Sequence, residues 1–171
     1  MNNTDIINKP ISLIMEDAKN TIINTINDLN LHPTLLEVIM KDIHGTQSVE
    51  VIDGRKIILS AGEGQTNVED LVWLKENVLS KVGGWKATGW AYIADCTKMK
   101  PVGPDEVGPL VDMTKAFVEA GCKAFGFAEG SSVMLKVQTQ KNTQKSDTGV
   151  IEGHFETVEQ VLEWLKNDIH I

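Results

Sequence analysis

The chain has 171 residues, of which 42% are hydrophobic and 23% charged, a composition typical of a folded globular protein. Its net charge is -8, and Arg55 is the single arginine among 16 basic residues. An acidic chain with almost no arginine is poorly suited to phosphate backbones and anionic membranes, so we predict neither nucleic acid nor membrane as a partner. No signal-like apolar segment follows Met1, and no apolar run approaches about 20 residues, so we expect a cytoplasmic protein.

The first 45 residues have a helical pattern. Apolar residues recur at spacings of three and four from Ile11 to Leu29, which places them on one helix face. Pro33 suits the first turn of a second helix, and Gly45 is a natural stop for it. We therefore predict an αα-hairpin over residues 1–45, which must pack on the rest of the chain or on another chain to bury both of its apolar faces.

After residue 47 the pattern changes to alternating β and α segments. The predicted strands cover residues 48–52, 56–61, 90–95, 122–128 and 150–156. Asp53-Gly54 predicts a tight antiparallel turn between the first two strands. Capping boxes at Thr66 and Thr157 indicate helix starts. Helices between the later strands predict parallel crossovers, so the fold class is α/β, with a mixed, mostly parallel five-stranded sheet over residues 48–171.

The two cysteines are expected to be free thiols. Cys96 ends one predicted strand and Cys122 begins the next parallel strand, so the two lie at opposite ends of the sheet. A strand of about six residues separates its ends by ~15 Å or more, well beyond the reach of a disulfide. We interpret both as small buried hydrophobic residues in preference to reactive thiols.

Acidic residues follow three of the predicted strands. Glu63, Asp95 and Glu129 lie near carboxyl ends of strands, which is the edge where ligands bind in open α/β sheets. Three carboxylates there suit a divalent cation, but acids also occur at this edge because the next helix N-terminus favours negative charge. We favour the second explanation, predict no metal site, and regard Asp95 as the strongest single candidate because it directly ends an apolar strand.

Two further interpretations involve other residue types. A small metal-dependent or hydrolytic enzyme would use Asp95, Glu129 and His154, although no nucleophile-elbow motif or metal-ligand spacing supports it. The four tryptophans, Trp73, Trp85, Trp90 and Trp164, would suit an apolar ligand pocket, but packing in or near the core is the commoner role of tryptophan.

From about Ser48 to its end, the chain resembles the STAS-like, or SpoIIAA-like, superfamily. The resemblance rests on an opening hairpin, on a strand ending in Asp95, and on a helix ending in Ala-Gly that leads into Cys-Lys-Ala-Phe-Gly-Phe. A closing strand and helix, Gly153 to Leu165, complete it. It implies a small cytoplasmic regulatory or binding module. Some members of the superfamily carry a phosphorylatable serine after the third strand, in an Asp-Ser pair; here that region reads Asp95-Cys-Thr, with Thr97 as the nearest hydroxyl.

We therefore predict a non-enzymatic module that recognises a protein partner or an apolar or anionic small molecule, with no cofactor and no catalytic residues. The predicted ligand site is the sheet edge and the helix starts beside it, formed by Glu63, Asp95, Thr97, Glu129, Ser131 and Ser132. Another interpretation is an assembly protein that forms a homodimer through its N-terminal helices.

Overall fold

The computed structural model describes residues 42–52 and 54–171. Six strands form one sheet in the order β1 to β6. Their bounds are Asp42–His44 (β1), Gln47–Val51 (β2), Ile57–Gly64 (β3), Trp90–Met99 (β4), Cys122–Ala128 (β5) and Ile151–Phe155 (β6). The pairs β1–β2 and β2–β3 are antiparallel, whereas β3 to β6 are parallel to one another. The predicted α/β class and the mixed, mostly parallel sheet are confirmed.

The helices connect the parallel strands and close the chain. Their bounds are Val68–Val82 (α1), Pro104–Glu119 (α2), Val133–Ser146 (α3) and Val158–Trp164 (α4). A 3-10 turn at Gly83–Ala87 follows α1, and a π-helical turn at Leu165–Ile169 follows α4. Within the described part of the chain, none of the helices combines the length and hydrophobicity needed to cross a bilayer.

The sheet has one strand more than the five predicted. Asp42–His44, assigned from sequence to the end of the second helix, instead pairs with Gln47–Val49 through a tight turn in which Gly45 has φ +58°. A positive φ is readily adopted by glycine, so this residue makes a hairpin turn where a helix stop was expected. The remainder of the predicted αα-hairpin, residues 1–41, lies outside the described residues.

Buried side chains lie on both faces of the sheet. On one face, α1 and α2 cover a cluster that includes Trp90, Tyr92, Phe117 and Phe125. On the other face, α4 and the turn after it cover a smaller cluster around Ile57, Ala91, Ile93 and Ala124. The sheet is therefore buried on both faces, as expected for strands joined by helical crossovers.

The two central strands run further than their sequence predicts. β3 extends to Gly64 and β4 to Met99, and the two remain paired beyond an irregularity between Ala61 and Glu63. Glu63 lies opposite Lys98 in this extension, and opposite charges on neighbouring strands favour pairing. Asp95 therefore ends only the pairing of β4 with β5, not the strand itself.

One of the two predicted helix starts is displaced by a residue. The capping box of α1 joins Asn67 and Asp70, one residue after the predicted Thr66 cap. Thr66 is 1% exposed, and its hydroxyl accepts a hydrogen bond from Gln47 Nε2 at 3.2 Å, so this side chain does not cap the helix. The capping box at Thr157 is confirmed.

Candidate functional site

A cavity of about 90 Å³ lies between the sheet and α1, α2 and α3. Its walls are largely apolar: Tyr92, Phe125 and Phe127 from the strands, with Leu74 and Met113 from the first two helices. Met99, Lys100 and Val102 line it at the carboxyl end of β4 and just beyond. The cavity therefore lies on the more aromatic face of the sheet, toward the edge where ligands bind in α/β proteins.

The helix that covers the cavity has an inverted amphipathic pattern. Its cavity-lining residues follow helical spacing and all but the first are polar: Leu135, Gln138, Thr139, Asn142 and Thr143. The opposite pattern appears outside, where Val133 is 75% and Met134 68% exposed. Helices usually bury their apolar stripe, so α3 is placed against the normal preference.

Most of these inward polar groups are satisfied by hydrogen bonds. The Gln138 side chain accepts from Val102 N at 2.9 Å and donates to Val102 O at 2.8 Å. The Thr139 hydroxyl donates to Glu129 Oε1, and the Thr143 hydroxyl donates to Thr139 O at 3.1 Å. These bonds offset the cost of burying polar groups, and those of Gln138 and Thr139 attach α3 to the chain segments beside it.

Polar groups also lie on the sheet side of the cavity. The Ser60 and Tyr92 hydroxyls are hydrogen-bonded at 2.5 Å, and Gln47 reaches Thr66. Burial raises the pKa of Tyr92 far above its ordinary value, so the phenol is neutral at physiological pH. The cavity thus has apolar walls with a few neutral polar groups, the usual make-up of a small-molecule site.

Cys96 lines the cavity but is not a reactive thiol. Burial, together with the negative charges of Glu129 and Asp95, raises its pKa to about 12. Burial likewise raises the pKa of Cys122 to about 12. Since thiolates are the nucleophilic form, burial keeps both cysteines protonated and weakly nucleophilic at neutral pH. The prediction of two free, buried thiols is confirmed.

Three of the predicted site residues lie together at a second, shallower pocket. Glu129, Ser131 and Ser132 line this surface depression of about 220 Å³, along with Lys136 and His154. Ser132 is the N-cap of α3, accepting from Leu135 N at 3.3 Å, as its sequence position predicts. Glu129 is almost fully buried and accepts from His154 Nδ1 at 3.0 Å as well as from Thr139.

The other three predicted site residues line neither pocket. Asp95 Oδ1 accepts from the Thr97 amide at 3.0 Å and from the Thr97 hydroxyl at 2.6 Å, so the carboxylate is engaged by its own strand. Glu63 is exposed opposite Lys98. Their role in ligand binding stays a prediction.

Two of the three residues named for a hydrolytic enzyme are in contact. Glu129 and His154 form a hydrogen-bonded pair, and His154 Nε2 lies 3.7 Å from Glu152 Oε2. Asp95 is bonded to Thr97 instead. Across residues 42–52 and 54–171 there is no group of three or more His, Cys, Asp or Glu side chains placed to hold a metal ion.

The tryptophans pack against other side chains and do not line the cavity. Trp90 is fully buried, and its Nε1 donates to Ala120 O at 2.9 Å. Trp73 stacks on His44, and Trp164 packs against Phe155. The packing interpretation is therefore correct for these three residues.

Sequence reasoning missed the main cavity residues. Gln47, Ser60 and Asn142 each look like ordinary surface residues in their local sequence. One signal was present: the polar residues of α3 recur at helical spacing from Gln138. A polar stripe facing inward is recognisable only once the neighbouring helices are placed.

Comparison with known proteins supports the fold and no more. No family model matches the chain, and no curated protein matches it. A protein designated TM1081, solved by NMR, superposes with a TM-score of 0.52 at 13% identity, covering 74% of this chain and 93% of that one. An uncharacterized DUF3478-family protein with a SpoIIAA-like fold, from Shewanella loihica, gives 0.54 at 16% identity, covering 72% and 96%. An anti-sigma factor antagonist from Mycobacterium paratuberculosis gives 0.47 at 15% identity, covering 71% and 94%.

The chain therefore has the SpoIIAA-like fold, as its sequence predicts. At these identities the likeness extends to the arrangement of strands and helices. The function has to be argued from the site itself.

Proposed function

We propose that this chain is a non-enzymatic binding module that holds an apolar small molecule in the cavity beneath α3. The observation that carries the proposal is the cavity of about 90 Å³ with walls formed largely by aromatic and aliphatic side chains. Close-packed interiors rarely leave such a space, and apolar cavities in proteins take up apolar ligands such as benzene or xenon. The raised pKa of Cys96 fits binding better than covalent chemistry at this site.

Xenon provides a direct test because it is apolar and small enough for the cavity. We expect xenon titration to shift the amide NMR signals of cavity residues such as Tyr92 and Phe125, and to leave remote signals unchanged. The variant Ala94→Leu places extra carbon atoms in the cavity, since Ala94 lines it, and should abolish these shifts. Ala87→Leu is the matched control, because Ala87 is exposed and outside the cavity.

The proposal fails if wild-type protein shows no localised xenon shifts, or if Ala94→Leu retains them in full. A thermal melt of each variant shows whether the protein is still folded, so that a loss of binding is not mistaken for a loss of structure.

The predicted protein partner and homodimer stay predictions. If a protein partner binds through an apolar surface, the outer face of α3 offers one, because Val133, Met134 and Val137 are exposed there. This helix also carries three lysines and no acidic residue in a chain of net charge -8, so an acidic protein surface would suit it.

A further inference from the structure

One polar side chain in the cavity has no protein partner. Asn142 is only 9% exposed and lines the cavity from α3. Every other inward polar residue of this helix makes a hydrogen bond, but no described residue bonds to the Asn142 amide. The Asn142 amide is therefore available to form a hydrogen bond with a group inside the cavity.

The charges around the cavity limit what Asn142 is placed to bind. Lys100 is the one charged residue among the described residues of the cavity wall, and it is exposed. Among residues 42–52 and 54–171, no buried cation or carboxylate lines the interior, so a charged group entering it would lose its hydration without gaining a counter-ion from them. An uncharged ligand does not carry this cost.

The size of the cavity limits the ligand further. A cavity of about 150 Å³ holds benzene, with its six carbon atoms, so about 90 Å³ corresponds to roughly four non-hydrogen atoms. The enclosed part of the ligand is therefore a small molecule or the end of a longer chain. Apolar walls with one unpartnered amide suit a group that is mostly hydrocarbon and carries one hydrogen-bonding atom.

We infer that the cavity selects a compact, uncharged group with a single carbonyl or hydroxyl, which hydrogen-bonds to the Asn142 side chain. This inference rests on the proposed function and names the ligand class for the same cavity. It assigns Asn142 a role in specificity: the amide favours a ligand with a polar atom over a hydrocarbon of the same shape, because an apolar ligand leaves the amide unpaired.

Three molecules of one shape test this inference. Acetone, 2-methylpropene and acetate are planar and branched, and differ in offering a neutral acceptor, no acceptor or a charge. We expect acetone and 2-methylpropene to bind the full-length protein, and acetate to bind much more weakly than acetone. Amide NMR titration of the cavity residues gives the dissociation constant of each.

Two variants on α3 separate the role of Asn142 from general effects. Asn142→Leu keeps the side-chain size and removes the amide, so the affinity for acetone relative to 2-methylpropene should fall about 3- to 10-fold. Gln144→Leu makes a similar polar-to-apolar change at an exposed position of the same helix and should leave that ratio unchanged. Replacing an unpaired buried amide by leucine does not threaten the fold, and a thermal melt verifies this.

The outcomes distinguish this inference from the proposed function. An unchanged ratio in folded Asn142→Leu protein, or acetate binding as tightly as acetone, overturns the inference while xenon and 2-methylpropene binding still support a hydrophobic ligand site. If xenon, acetone and 2-methylpropene all fail to bind wild-type protein, the proposed function and this inference are both wrong.

Discussion

At the scale of single residues, burial controls the chemistry of this protein. Cys96 and Cys122 are 7% and 4% exposed, and Tyr92 is 2% exposed. All three have raised pKa values, chiefly because ionisation would place a charge in an apolar interior. These groups therefore contribute to stability in their neutral forms.

Stability should decline at alkaline pH because of the two thiols. In the unfolded chain each thiol ionises near its ordinary pKa of 9.0, but in the folded chain near 12. Their contribution is fully present below about pH 9 and is lost as the pH rises toward 12, because the unfolded state then releases protons that the folded state keeps. Thermal melts across this range should show a falling melting temperature.

The control for this prediction is the double variant Cys96→Ala, Cys122→Ala. It should be less stable at neutral pH, yet lose less stability between about pH 8 and pH 10.5 than wild type, because its alanines cannot ionise. Rapid reaction of both thiols with a disulfide reagent in native protein near pH 8 would contradict the protonated, buried state.

At the scale of secondary-structure elements, glycine controls how closely α4 approaches the sheet. A Cβ atom built on Gly126 of β5 would lie 2.1 Å from Val161 Cγ1, and one on Gly153 of β6 would lie 2.6 Å from Phe155. Both distances are far below van der Waals contact. The absence of a side chain at Gly126 permits the tight packing of Val161, which is fully buried, and its absence at Gly153 leaves room for Phe155 and Trp164.

Gly126→Ala should destabilise the protein by about 1–3 kcal/mol, because the added methyl group forces α4 away from the sheet. Gly84→Ala is the matched control: a Cβ there meets nothing within 4 Å, so its effect should be small. Urea unfolding followed by circular dichroism measures both. If both substitutions lower the free energy of unfolding equally, α4 packs less closely against β5 than the structure shows.

At the scale of the whole molecule, the single arginine joins distant parts of the chain. Arg55 follows β2, and its guanidinium donates to Leu162 O at 3.4 Å and to Ile171 O. These partners lie 107 and 116 residues further along the chain. A planar guanidinium reaches two carbonyls at once, whereas the ammonium of lysine is a single point charge.

Arg55→Lys should therefore lower the free energy of unfolding by about 1–2 kcal/mol, even though it conserves the charge. Hydrogen exchange should show the increased opening concentrated in the last turns of the chain, after Leu162. Lys115→Gln, a change at an exposed position of α2, is the control and should have little effect. Uniform loss of protection across the sheet would contradict a local role for Arg55.

Much of the sheet was predictable because its strands are buried on both faces. The segments around Trp90 and Cys122 are short apolar runs between turn residues, and such runs are typical of central parallel strands. The first strand was missed, since its three residues continue a helical pattern and only pairing with Gln47–Val49 makes them a strand. The extension of β4 to Met99 depends likewise on its partner β3.

The candidate site was less predictable than the fold. Glu129 and Ser132 were recognised from their place after a strand, and the structure brings them to one pocket. The role of Asp95 in ligand binding stays a prediction; its hydrogen bonds to the Thr97 amide and hydroxyl could not be foreseen from its place at a strand end. The cavity residues were not predicted because each is of an ordinary residue type, and only its position in the folded chain places it in the cavity wall.

The sequence by itself determined the order of strands and helices from β2 to α4, because hydrophobic spacing along a chain records which side of each element is buried. The tertiary structure alone decided where the packing is incomplete. A cavity forms where the surfaces of several elements do not fit together closely. The amide of Asn142 lacks a partner because no described residue around it offers a hydrogen-bonding group in reach. Neither property belongs to any one segment, so no local pattern encodes it.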